Sequence, residues 1–150
     1  MKRIQRPQSD YAKLLNAVAS NMQKKNRAEL RAGVPAAMSL AANYRLPSLG
    51  SLTSSASEKR RLAFLAAYKP QVAPFDDQRA AILALVDECP YCGSADARTL
   101  DHYLEKWSIP ELALFPPNLV PCCADCNPRR APSFKGRTRQ VIHFYDDDVD

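Results

Sequence analysis

Glycine is scarce, with four residues in 150, and neither a glycine-rich phosphate loop nor a Gly-x-Ser-x-Gly elbow is present. Without those backbone cradles, nucleotide-driven chemistry has no seat in the chain. No stretch approaches the roughly 18–20 consecutive apolar residues that span a bilayer. The start, Met1-Lys2-Arg3-Ile4-Gln5-Arg6-Pro7, is not followed by a continuous hydrophobic region, so no secretory signal is indicated and the expectation is a cytosolic protein with no membrane partner. No internal repeat is visible. What is present, 46% apolar and 25% charged residues, is the composition of a folded globular chain rather than a disordered one.

The net charge of +5 is unevenly placed. Lys2, Arg3, Arg6, Lys13, Lys24, Lys25, Arg27 and Arg31 crowd the start, and Arg129, Arg130, Lys135, Arg137 and Arg139 the end. Such clusters suit a polyanion, and solvated helix faces account for them equally well.

The first 88 residues read as almost entirely helical. Ser9 or Asp10 can cap a helix whose apolar stripe is Tyr11, Leu14, Leu15, Val18 and Met22, ended near Arg31 by Gly33 and Pro35. A second piece covers Ala36–Asn43, and residues 51–55 read as a loop and the best linker. A third helix runs from Ser57-Glu58 through Tyr68, stopped by Lys69-Pro70, and a fourth opens at Pro74-Phe75-Asp76 and carries Ile82, Leu83, Leu85 and Val86. From Cys89 the character changes to cysteine pairs, prolines and short β-like runs at 97–102 and 118–121.

Five cysteines in a chain of reducing surroundings argue for metal rather than disulfides. Cys89-Pro-Tyr-Cys92-Gly93 and Cys123-Ala-Asp-Cys126 are two C-x2-C knuckles, which together supply four soft ligands for a structural zinc with no open coordination position. Only the 123/126 choice preserves the spacing, which leaves Cys122 as a packed thiol. A module this small buries little apolar surface, so the metal should contribute to folding directly.

Between and after the knuckles stand Leu100-Asp101-His102, Pro117-Asn118-Leu119-Val120-Pro121 and Cys126-Asn127. In this order, over about residues 87–145, the chain resembles the zinc-containing branch of the HNH endonucleases. The resemblance implies an α+β chain: a ββα-metal module with a first strand at 97–104, a second beginning at 118–121 and a helix near Cys126, preceded by a mainly α-helical region. The corresponding divisions are 1–75, 76–145 and an acidic tail at 146–150, and the natural chain could continue further. It also implies DNA as substrate and Mg²⁺ or Mn²⁺ as catalytic ion. His102 is the side chain whose ordinary pKa suits a general base. Asp101 and Asn127 offer hard oxygen ligands, and Asn118 holds the loop bearing the histidine. Asp101 and His102 are neighbours in a strand, so a distortion or a strand end is needed for both to reach one phosphate.

The chain departs from the family pattern at Glu105, where proline is usual, and at Asn127-Pro128-Arg129-Arg130-Ala131-Pro132, where Pro132 should truncate or kink the helix. Asn127 could equally cap that helix. Arg129 and Arg130, with Lys106 and Lys135, are the candidates for phosphate contacts, or are simply solvated. His143 belongs to a stretch resembling one that follows the nuclease core in relatives and is expected to pack. The N-terminal helices could dock a partner such as a defence-system ATPase. A zinc-stabilised DNA- or protein-binding module with a degenerate site is the alternative to an active enzyme.

Overall fold

Asp10 opens α1 (Tyr11–Ser20) by accepting a hydrogen bond from the Lys13 amide at 3.0 Å, the usual way to satisfy a first-turn donor. The stripe Tyr11, Leu14, Leu15 and Val18 is buried as its spacing requires. The computed structural model describes residues 4–69 and 73–148. Pro70, expected to stop the third helix, and Lys2 and Arg3 of the basic cluster lie outside the described residues.

The helical boundaries differ from expectation. The chain breaks after Ser20, and α2 runs unbroken from Lys24 to Ala42. At the break, Asn21 bonds back to the Ala17 carbonyl, and the Arg27 guanidinium donates to the carbonyls of Ser20 and Met22. Gly33 and Pro35, read as terminators, both lie within α2. Gly33 is there for packing: a Cβ at this position would come within 2.6 Å of the Phe64 ring. Pro35 lies exposed, where water can satisfy the carbonyl deprived of its helical donor. Ser51 ends a short 3-10 turn (Ser48–Ser51), and residues 52–55 are irregular as expected, but they are tethered. The fully buried Glu111 carboxylate accepts from Ser54 Oγ at 3.0 Å and the Ser55 amide at 3.1 Å.

Ser57 caps α3 (Glu58–Ala67), accepting from the Arg60 amide, and α4 (Phe75–Leu83) carries Asp76 and Asp77 in its first turn, where carboxylates favour the helix dipole. Strands β1 (Thr99–His102) and β2 (Leu119–Cys122) pair antiparallel, with Asp101 opposite Val120 and His102 opposite Leu119. A single helical turn, α5 (Cys126–Arg129), follows, and ends before Pro132. A hairpin of β3 (Phe134–Lys135) and β4 (Thr138–Arg139) turns on Gly136 at φ 61°. The architecture is mixed α+β.

α1 packs on α2 and α2 on α3, while α4 lies against β1 and β2. One apolar core takes in Ile4, α1 to α4, the strands, Phe144 and Tyr145, so the 1–75 and 76–145 regions share it. The two ends of the chain meet. The Ile4 amide donates to the Phe144 carbonyl at 3.2 Å, and Arg6 pairs with Asp146 at 3.0 Å. Asp147 is engaged by Arg139 and the His143 amide, so the head of the acidic stretch is held in place. Among the described residues no helix is long and apolar enough to cross a membrane.

Candidate functional site

Cys89, Cys92, Cys123 and Cys126 come together with all four sulfurs within 4.8 Å of one another. A tetrahedral zinc with Zn–S bonds near 2.3 Å puts its sulfurs about 3.8 Å apart, so the donor set fits that ion. The knuckle geometry is built by backbone bonds: Gly93, at φ 64°, donates to the Cys89 carbonyl at 2.7 Å, and the Cys126 amide reaches Cys123 Sγ at 3.4 Å. Hydrogen bonds from Ser94 pull the Cys92 thiol down to about 6, while its bond with Cys123 pushes Cys126 up to about 12. Four thiols this close cannot all ionise without a cation among them. Cys122 lies outside the quartet, fully buried, with its sulfur 3.3 Å from Thr99 Oγ1, a packed thiol as expected.

Beside this cluster an open cleft of about 420 Å³ is lined by Asp101, His102, Lys106, Asn127 and Arg130, with Tyr68, Arg79, Glu105 and Trp107 completing its walls. His102 is the last residue of β1, and it is this strand end that allows two neighbours of opposite pleat to line one cavity. His102 Nε2 lies 2.9 Å from the Ala113 carbonyl. A carbonyl only accepts, so Nε2 carries the proton and Nδ1 keeps its lone pair. Burial holds the imidazole down to about 3 against the pull of the Ala113 bond, with Lys106, Arg130 and Arg79 acting in the same downward direction. The ring is therefore neutral at physiological pH.

Asp101 is heavily engaged. Its Oδ2 accepts from the Tyr91 hydroxyl at 2.7 Å and is ion-paired with Arg130 Nε, while Arg130 Nη2 lies 3.2 Å from Oδ1. The same guanidinium donates to the His102 carbonyl at 2.8 Å and to Ser133 Oγ at 2.8 Å. Asn127 Nδ2 donates to Thr99 Oγ1 at 3.1 Å and to the Leu100 carbonyl at 3.3 Å, which fixes α5 to β1 and leaves the amide oxygen as its potential ligand atom.

Asn118 lies behind the cleft, fully buried. Its Oδ1 accepts from the Leu104 amide at 2.7 Å and the Tyr44 hydroxyl at 3.0 Å, while Nδ2 donates to the carbonyls of Leu104 at 3.0 Å and Leu112 at 3.1 Å. It clamps both ends of the loop 104–112, which carries Lys106 and Trp107 and leads into Ala113. Tyr44 passes the network on to His143 Nε2 at 3.0 Å. His143 is fully buried among the rings of Tyr44, Tyr103 and Tyr145, and packs as expected.

Of the residues expected to meet phosphate, Lys106 and Arg130 reach the cleft, while Arg129 and Lys135 are exposed away from it. Arg130 is spent on Asp101 rather than offered to solvent. The residues sequence reasoning did not find are Tyr68, Arg79, Tyr91 and Trp107. Tyr68 and Arg79 belong to the helical half and carry no local signal. Trp107 follows closely on the Asp-His pair, and a lone tryptophan beside a lysine was the one clue available.

Over an alignment of 60 residues, which takes in 39% of its length, the chain is 37% identical to Protein ea31 of Escherichia phage lambda, and the match covers 19% of that protein's length. No family model matches the chain, and no solved structure matches it.

Proposed function

We propose that the cleft is the active site of a metal-dependent endonuclease of the zinc-containing HNH type, hydrolysing DNA phosphodiester bonds. The observation that carries the reading is the convergence in one cavity of His102, oriented through Nε2, with Asp101 and the Asn127 amide, against a loop clamped by Asn118. In this reading His102 Nδ1 takes the proton of the attacking water: the ring is unprotonated at physiological pH, burial makes it a weak base, and the negative charge of a bound phosphate would raise its proton affinity. The Ala113 carbonyl keeps the ring in the required tautomer and stabilises it once protonated. Asp101 and Asn127 Oδ1 would hold Mg²⁺ or Mn²⁺, hard oxygen donors suited to such an ion. When bound, that ion supplies charge stabilisation for the phosphate and the leaving 3′-oxygen. Lys106 and Arg79, on the cleft wall, would hold phosphate, and a zinc on the four cysteines would keep α5 beside β1.

A second reading rests on one contact. The Arg130–Asp101 ion pair occupies the carboxylate the metal needs, which favours a zinc-stabilised DNA- or protein-binding module that lacks turnover. Supercoiled plasmid incubated with the purified chain and Mg²⁺ or Mn²⁺ separates the two. Nicked or linear product that depends on the added ion supports the enzyme; a mobility shift with no broken strand across both ions supports the binding module.

A further inference from the structure

The turn after β1 carries Trp107, the one tryptophan in the chain, and leaves the residue 64% exposed. An indole in water at the mouth of a polar cleft is a costly placement for a large apolar group. The turn that presents it is firmly built. The amides of Ser108 and Ile109 donate to the Glu105 carbonyl at 2.9 and 3.0 Å, Arg61 from α3 donates to the Trp107 carbonyl, and Asn118 grips Leu104 just upstream. The indole is thus held out on a braced backbone.

Cations interleave with the aromatic rings along this rim. Lys106 Nζ lies 5.8 Å from the Trp107 ring centre and 4.8 Å from that of Tyr68, and the Arg79 guanidinium lies 5.9 Å from Tyr68. Of the carboxylates facing them, Asp101 is already neutralised by Arg130, which leaves Glu105. Aromatic faces alternating with cations are what proteins use to bind single strands, the rings stacking bases and the cations tracking phosphates.

We propose that Trp107, Lys106 and Arg79 form a docking platform for single-stranded DNA: an unpaired base stacks on the indole, and Lys106 and Arg79 hold the phosphates beside it. Bases inside a duplex have no free face to offer, so the platform selects unpaired strand. Its link to cleavage rests on the endonuclease reading, whereas binding does not.

The test therefore measures binding, without added divalent metal. Intrinsic fluorescence reports on Trp107 alone, and anisotropy of labelled oligo-dT reports on variants. The expected result is saturable quenching by oligo-dT at low salt and much weaker quenching by the same strand annealed into duplex. W107A should weaken oligo-dT binding roughly tenfold, with W107F near wild type and zinc content unchanged in both. Equal binding of duplex, stronger binding of oligo-U RNA, equal quenching by anionic phospholipid vesicles, or undiminished oligo-dT binding by W107A would each overturn the proposal. Because no cutting is needed, a platform that binds without nicking would count against the enzyme and leave the platform standing.

Discussion

Arg130 reaches back from the end of α5 to close an ion pair with Asp101 in which the two side chains are 9% and 8% exposed. If Asp101 holds a divalent cation as proposed, the guanidinium and that cation would compete for the same carboxylate. Arg130→Gln should bind Mn²⁺ roughly tenfold more tightly than wild type, read by electron paramagnetic resonance of free Mn²⁺. Breaking a buried pair also leaves an uncompensated charge, so the same variant should lose about 3 kcal/mol in urea denaturation, part of it recovered by Mn²⁺. Unchanged Mn²⁺ affinity would show that Asp101 is not a ligand in competition with Arg130.

Asn118→Ala removes four side-chain hydrogen bonds and strands the amide and carbonyl of Leu104 in the interior. A loss of about 3–4 kcal/mol is expected, which in a chain of this size lowers Tm by about 10 °C. A variant melting within a degree or two of wild type would mean that the loop does not depend on this clamp.

The cysteines divide cleanly. Cys92→Ser should lower bound zinc and Tm together, because the quartet loses a ligand and the site contributes to folding. Cys122→Ala should retain one zinc per chain, since its sulfur faces Thr99 rather than the quartet. Zinc released on denaturation, measured with a colorimetric chelator, checks both; full zinc content in Cys92→Ser would sink the four-cysteine assignment.

Burial pushes His143 down to about 4, against the pull of Asp146, whose Oδ2 lies 3.3 Å from Nδ1 without hydrogen-bond alignment. The folded pKa is below the ordinary value of about 6.5, so on acidification the unfolded chain takes up the proton first. The stability concerned is complete above about pH 6.5 and is lost as pH falls towards 4, at up to about 1.4 kcal/mol per pH unit. His143→Gln keeps a donor for Tyr44 and should flatten the slope of unfolding free energy between pH 6.5 and 4.5. An unaltered slope would place the acid sensitivity elsewhere.

The parts of the fold legible in the sequence were those set by short-range chemistry. The α1 stripe with its Asp10 cap, the paired knuckles and the truncation of α5 before Pro132 each follow from residues close together in the chain. Gly33 misled because its reason for being glycine, the Phe64 ring, is thirty-one positions away. The tethering of residues 54 and 55 depends on Glu111, and the engagement of Asp101 on Arg130 and Tyr91. Partnerships of this kind leave no periodicity to read. Arg79 reaches the cleft because α4 packs against the strands, and Tyr68, just past the end of α3, because its ring lies 4.4 Å from that of His102, which no local pattern reveals.

The proposed chemistry requires His102 to take a proton in a phosphodiester-cutting reaction. The most direct measurement is the rate at which supercoiled plasmid is nicked in Mg²⁺ or Mn²⁺ by wild type and by His102→Ala, each verified to hold one zinc per chain. Metal-dependent nicking by wild type is expected, with a rate at least about a hundredfold lower for the variant. Equal rates, or no nicking by either protein in either metal, would contradict it.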